Sequence, residues 1–278
     1  MRVGIGLPTS TPGADGRLML DWARRAEAAG FSSLGTVDRF VYECWEPMTT
    51  FAGAAAVTES IRLVTMILIG PLRNSALLAK QAATLDVISG GRLVLGLGIG
   101  ARHDDYELAG VDPRQRGREL SRQLHDLRAT WEEGVVGPRP GGEDGPTMLV
   151  GGGGGQAFSR MARLSDGYVH GGGPPRAFAS AAARARAAWA DAGRPGRPQL
   201  WGQGYFALGE PERGADYLRS YYAFTGGFAE KIAAANLTTP QAIKDLVRGY
   251  EEEGCDELVL LPTVSSLDQL ERLADVLR

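Results

Sequence analysis

Five consecutive glycines, Gly151, Gly152, Gly153, Gly154 and Gly155, stand between two apolar stretches of a 278-residue chain. A glycine-rich turn ahead of a helix exposes several backbone N–H groups, and with the helix dipole these make a phosphate site. Gly171, Gly172 and Gly173 repeat the arrangement after the next apolar run, beside His170. Five glycines in a row would equally suit a mobile surface loop. Asp38-Arg39 is a second chemical candidate. A carboxylate at a strand end can work as a general acid or base, or it can pair with Arg39 or cap a loop. Arg39 cannot act as a base at ordinary pH. It could stabilise an anionic substrate. His103 follows Arg102 in a polar stretch. Histidine is the side chain suited to proton transfer near neutrality, and in such a stretch it is also commonly just exposed.

Other chemistries find less support. His125 falls in the middle of a predicted helix, and no His, Asp or Glu spacing resembles a metal site. Ser89 and Ser165 lack a nucleophile-elbow context. Lys80, Lys231 and Lys244 all fall on predicted helices, so a lysine-dependent aldolase or isomerase has no candidate.

The elements that must position these residues follow from periodicity. Apolar runs predict strands over Val3–Leu7, Phe31–Val37, Ile61–Ile69, Arg92–Gly98, Met148–Gly151, Asp166–Val169, Gln199–Leu208 and Glu257–Leu261. Helical spacing fills the intervals, for example Arg17–Ala29, Gln115–Glu133, Gln156–Leu164 and Leu267–Leu277. Thr239-Pro240 is an N-cap and first-turn pair. A helix is expected over Pro211–Asn236 with an interruption near Gly226-Gly227. Gly134–Pro146 reads as an exposed loop. Eight strands alternating with helices predict an α/β fold, a (β/α)8 TIM barrel in a single domain over 1–278. A doubly wound sheet is the competitor, but no early G-x-G-x-x-G is present. In a barrel the chemistry lies at the C-terminal strand ends. That rule collects Asp38-Arg39, Gly98, Gly100, His103, the glycines from Gly151 through Gly152 to Gly155, and His170 to Gly173.

Leu77 to Arg102 joins a helix, a Ser89-Gly90-Gly91 stop and a buried strand. Gly96, Gly98 and Gly100 then recur at every second position and share one strand face. They admit either close packing or a flat ligand on the strand end.

The composition carries 30 basic and 33 acidic residues and no basic block, so nucleic acid is not an expected partner. Two cysteines far apart favour a reducing cytosol. The N-terminal MRVGIGLPTS is too short and too polar for a signal peptide, and no apolar run approaches a membrane span. A cytoplasmic protein is expected. Arginine is preferred to lysine and Ala and Gly abound, which suggests a high-GC coding bias.

AKQAATLDVISGGRLVLGLGIG is similar to the signature of the luciferase-like monooxygenase superfamily, the flavin- or deazaflavin-dependent oxidoreductases. VGGGGGQAFSRMARLSDGYV resembles its segment between the fifth and sixth strands. The resemblance implies an oxidoreductase with an isoalloxazine-type cofactor, F420 or FMN, its phosphate held by that segment. The glycine-rich loop and the coding bias lean to F420. It also implies a bulge with a non-proline cis peptide under the ring. This places Thr65, Met66 and Ile67 at the cofactor, with Met66-Ile67 the candidate bond. A small-molecule substrate, a homodimer and a separate reductase supplying reduced cofactor are further implications. Members often carry Asp-His where this chain has Asp38-Arg39, so a proton-transfer role does not carry over directly. Ala101 replaces the acidic residue of the sugar-phosphate dehydrogenases, which argues against the same chemistry on a sugar. These departures keep open a barrel that binds a flavin or phosphorylated ligand without turnover.

Overall fold

Alternation along the strands divides the core in two. The computed structural model describes residues 1–141 and 145–278. Its strands are β1 (Arg2–Gly6), β2 (Ser33–Thr36), β3 (Arg62–Thr65), β4 (Leu68–Ile69), β5 (Leu93–Gly98), β6 (Thr147–Gly151), β7 (Gly167–His170), β8 (Gln199–Phe206) and β9 (Glu257–Pro262). Neighbours run β3-β2-β1-β9-β8-β7-β6-β5-β4, all parallel, and β3 also pairs with β5, which closes the ring. β3 and β4 share one barrel position, so the fold is the expected eight-stranded (β/α)8 barrel. Val64, Val94, Leu149, Val169, Trp201 and Val259 fill the barrel interior. Their chain neighbours Leu63, Leu93, Met148, Tyr168, Leu200 and Leu258 pack in the outer, helix-covered core. Burial on both faces is why these strands read as apolar runs without polar alternation.

The third predicted strand, Ile61–Ile69, is not continuous. It breaks into β3 and β4 at Met66–Ile67, whose peptide bond is cis. Thr65 Oγ1 donates to the Gly96 carbonyl at 2.7 Å and ties the break to β5. The seventh predicted strand stops at Phe206, because the next N–H, that of Ala207, turns to the Leu237 carbonyl at 3.0 Å. The stretch after the fourth predicted strand is a short helix, α4 (His103–Ala109). The expected interruption is present: a helix over Pro211–Tyr221 and another over Phe228–Ala234 flank a turn ending at Gly226, φ 59°. Residues 142–144 of the predicted Gly134–Pro146 loop lie outside the described residues. Among the described residues no helix is long and apolar enough to cross a membrane.

The S-G-G-R signature sits at the barrel's N-terminal face. Gly90, φ 70°, ends the helix Ser75–Ser89 in the left-handed conformation that glycine takes without steric cost. Arg92 is buried and donates to the carbonyls of Ser89, Ile61, Thr58 and Ala55 and to the Thr58 hydroxyl. One guanidinium thus joins two segments under the barrel, 55–61 and 89–92. Nearby, fully buried Glu257 pairs with Arg62, whose guanidinium lies 4.8 Å from the Trp201 ring centroid. Arg62 and Arg92 also line a cavity of about 420 Å³ at this end, with Arg2 and Asp256.

Candidate active site at the barrel mouth

The opposite end opens into a cavity of about 440 Å³. Its floor is glycine and isoleucine. A Cβ on Gly98 would lie 2.1 Å from Ile67 Cδ1, and one on Gly151 would lie 3.1 Å from Ile67 Cγ2. A Cβ on Gly96 would lie 2.1 Å from the Thr65 carbonyl oxygen. The alternating glycines therefore make room for the displaced segment around Ile67, which is close packing. Gly98, Gly100, Met66 and Ile67 also line the cavity, so the same packing leaves a shallow bed. Thr65 lies beneath it, fully buried.

At one edge of the bed, Gly151, Gly152 and Gly153 line the cavity, and Gly154 is the N-cap of α6 (Gly155–Leu164). Gly152 makes the turn between β6 and α6: its φ is 135°, and its carbonyl accepts from the Tyr168 hydroxyl at 2.9 Å. Gly154 has extended backbone and offers no capping side chain, so the first amides of α6 have no side-chain acceptor. A Cβ at Gly153, Gly154, Gly155 or Gly171 would meet nothing within 4 Å. Arg184 donates to the Gly153 carbonyl at 3.1 Å and lies over Phe158, which adds a cation beside these amides. Open space, free amides and positive charge fit an anionic tail. Gly172, φ 99°, stays close to the Gln203 backbone.

At the other edge Asp38 is enclosed. One oxygen accepts from Ile69 N–H at 2.8 Å and Arg73 Nη1 at 2.6 Å, the other from Arg73 Nη2 at 3.0 Å. Its side chain is 2 % exposed. This fork ties the end of β2 to the turn after β4. Arg39 pairs instead with Asp105, Nε to Oδ2 at 2.9 Å. Asp105 Oδ1 accepts from the N–H groups of Phe40 and Val41. The Cys44 thiol is pushed up to about 12 by burial and by the Asp38 charge, so it is no thiolate. Replacing Asp38 with Asn should cost about 2 kcal/mol, because Arg73 loses its buried counter-charge while the Ile69 amide keeps an acceptor. Urea unfolding measures this, and an unchanged midpoint would contradict the pairing.

Tyrosines form the remaining wall. Tyr205, Tyr221 and Tyr222 line the cavity, and Tyr205 and Tyr222 share a hydroxyl hydrogen bond of 2.7 Å. Burial holds Tyr205, Tyr217 and Tyr221 well above the ordinary phenol range and raises Tyr222 as well. The fold thus favours the protonated form. Its contribution is complete below about pH 10, the ordinary phenol value, and is lost as pH rises through the raised folded values. Absorbance titration should show these phenols ionising only with alkaline unfolding; free titration near pH 10 would contradict their burial.

The two predicted histidines stand elsewhere. His103 opens α4 and is exposed, outside the cavity lining, because α4 turns it to solvent while Asp105 and Tyr106 face inward. His170 alternates with inward-facing Val169 and so points outward, among Tyr168, Phe178 and Tyr250. Burial lowers its pKa, partly offset by a backbone hydrogen bond at Gly172. Arg73, Gln203 and the tyrosines were not among the sequence candidates. For Tyr217, Tyr221 and Tyr222 the signal was present: spacings of four and five put them near one helix face.

The family model for luciferase-like monooxygenases matches residues 1–257. An uncharacterized protein of Mycobacterium tuberculosis is 32% identical over 206 residues, 62% of this chain and 71% of that one. Among solved structures, an F420-dependent secondary alcohol dehydrogenase in complex with an F420-acetone adduct superposes with TM-score 0.79 at 15% identity, covering 100% of this chain and 99% of that one. The oxygenating constituent of 3,6-diketocamphane monooxygenase from Pseudomonas putida, in complex with FMN, gives TM-score 0.71 at 17% identity, covering 94% and 91%. At such identities these two matches speak for the fold alone.

Proposed function

This chain belongs to the luciferase-like monooxygenase family, and we propose that it is an oxidoreductase working with F420 or FMN bound across the barrel mouth. The observation that carries this reading is the pairing of a glycine-and-Ile67 bed with the open, uncapped start of α6 at its edge. A tricyclic ring needs a flat, apolar support, and a phosphate-bearing tail needs amides it can approach closely. Both are adjacent here. When bound, the cofactor would supply hydride transfer if F420, or oxygen activation if FMN.

The chain's own residues would do the rest. Gly152, Gly153, Gly154 and the first amides of α6 would hold the tail. Ile67, Gly98 and Gly151 would support the ring. Asp38, with both oxygens engaged, would position the mouth through Arg73 rather than exchange protons. Arg39 and the tyrosines would shape the space for an organic small molecule and exclude water. A separate reductase supplying reduced cofactor, and a homodimer, belong to the same proposal, as does a cytoplasmic location.

Titrating the purified protein with F420 and with FMN, followed by fluorescence, tests this. One of the two is expected to saturate, with F420 the first to try. Saturation by neither would overturn the reading. Tight binding with no turnover across a broad substrate panel would favour a non-catalytic ligand-binding barrel instead.

A further inference from the structure

Arg39 has more donors than partners. Its Nε is taken by Asp105, while Nη1 and Nη2 are buried and have no hydrogen-bond partner among the described residues. The side chain is 5 % exposed, and Arg39 lines the mouth cavity. Burying donors without acceptors costs stability, so two on one guanidinium call for an explanation. Asp105 does not supply it, since it is already held by Nε and by the amides of Phe40 and Val41. The guanidinium lies against the edge-to-face pair Tyr42–Tyr221, 5.3 Å from the first ring centroid and 5.4 Å from the second. Its free edge is the Nη1/Nη2 fork, which matches a carboxylate bidentately. The neighbouring walls are aromatic with neutral hydroxyls, suited to a flat, largely apolar body.

We propose that the tyrosine-walled end of the mouth is the substrate subsite, and that its ligand is a small, flat carboxylic acid docked through its carboxylate on the Nη1/Nη2 fork of Arg39. Both nitrogens of that fork are buried, so docking requires a neighbouring side chain to give way. The assignment as substrate rests on the oxidoreductase reading; the binding itself does not.

The test uses benzoate and its uncharged counterpart benzamide as probes. Calorimetry is run on the full chain, alone and with F420 or FMN present. Benzoate is expected to bind at least about tenfold more tightly than benzamide, as a charge-assisted fork predicts. Arg39→Met should abolish that preference, while changing F420 or FMN affinity less than about threefold. Arg39→Lys, which keeps a charge opposite Asp105, should fold and retain part of the preference. Circular dichroism checks both variants. Equal binding of the two probes, no binding of either, or a preference that survives in Arg39→Met would overturn the proposal. So would a loss confined to cofactor affinity, since the fork would then serve the cofactor. Benzoate preference in a protein that binds neither cofactor would sink the oxidoreductase reading and leave the carboxylate site standing.

Discussion

Replacing Gly154 with aspartate is expected to leave the protein as stable as before, or a few tenths of a kcal/mol more stable, and to weaken binding of F420 or FMN at least about hundredfold. The opposite signs come from one place. Gly154 already has the extended backbone of an N-cap, φ −87° and ψ 159°, and a Cβ there would meet nothing within 4 Å. An aspartate would accept from the first amides of α6 and complement the helix dipole. Those are the amides assigned to the cofactor's phosphate. The carboxylate would occupy them and repel the incoming anion. Two charge-assisted hydrogen bonds at about 1.5 kcal/mol each account for the hundredfold. Equilibrium binding and thermal unfolding of the same sample check both halves. Unchanged affinity would place the tail elsewhere.

Replacing Arg92 with methionine should do the reverse. It is expected to remove about 4 kcal/mol of stability, seen as a fall in Tm of roughly 10 °C, by leaving buried carbonyls without donors. Four backbone carbonyls and the Thr58 hydroxyl lose their partner at once. Arg92→Lys should recover only part, since an ammonium has fewer donors and no planar fork. Cofactor affinity of the folded fraction should not change, because Arg92 lies at the barrel's N-terminal face, away from the mouth cavity. A variant as stable as the parent would contradict the role given to the guanidinium.

The contrast between these two sites shows what the sequence made legible. The S-G-G-R motif carries the resemblance, yet its arginine does structural work at the N-terminal face, while the cavity is at the opposite end. The barrel itself was readable, because apolar runs and helical spacing are local signals. The alternation of Gly96, Gly98 and Gly100 was readable as one face. What fills the space was not: Ile67 and the Thr65 carbonyl reach it from a neighbouring strand, and that depends on register. The break at Met66–Ile67 came from family resemblance, since RLVTMILI is a plain apolar run.

Which residues reach the mouth was legible where position along a strand decides the matter. Asp38, Arg39, Gly151, Gly152 and Gly153 follow strand ends and line the mouth. His170 lies outside the mouth lining by one residue of pleat: Val169 faces the barrel, and its neighbour points to Phe178. His103 lies outside the lining because a helix starts at it and sets its direction. Arg73 was passed over inside the turn Gly70-Pro71-Leu72-Arg73-Asn74, and only the fold brings it to Asp38, 35 residues away. The tyrosine wall needed both the helix face and the knowledge that this face meets the mouth.

In the proposed function the barrel mouth holds a phosphate-bearing, isoalloxazine-type cofactor with its tail on the start of α6. Amide chemical shifts of isotope-labelled protein, followed while F420 or FMN is added, test it most directly. The largest changes are expected on Gly153, Gly154, Gly155 and Gln156, with smaller ones along Ile67 and Gly98 and none around Arg92. Saturating binding that leaves those glycine amides unmoved would contradict it.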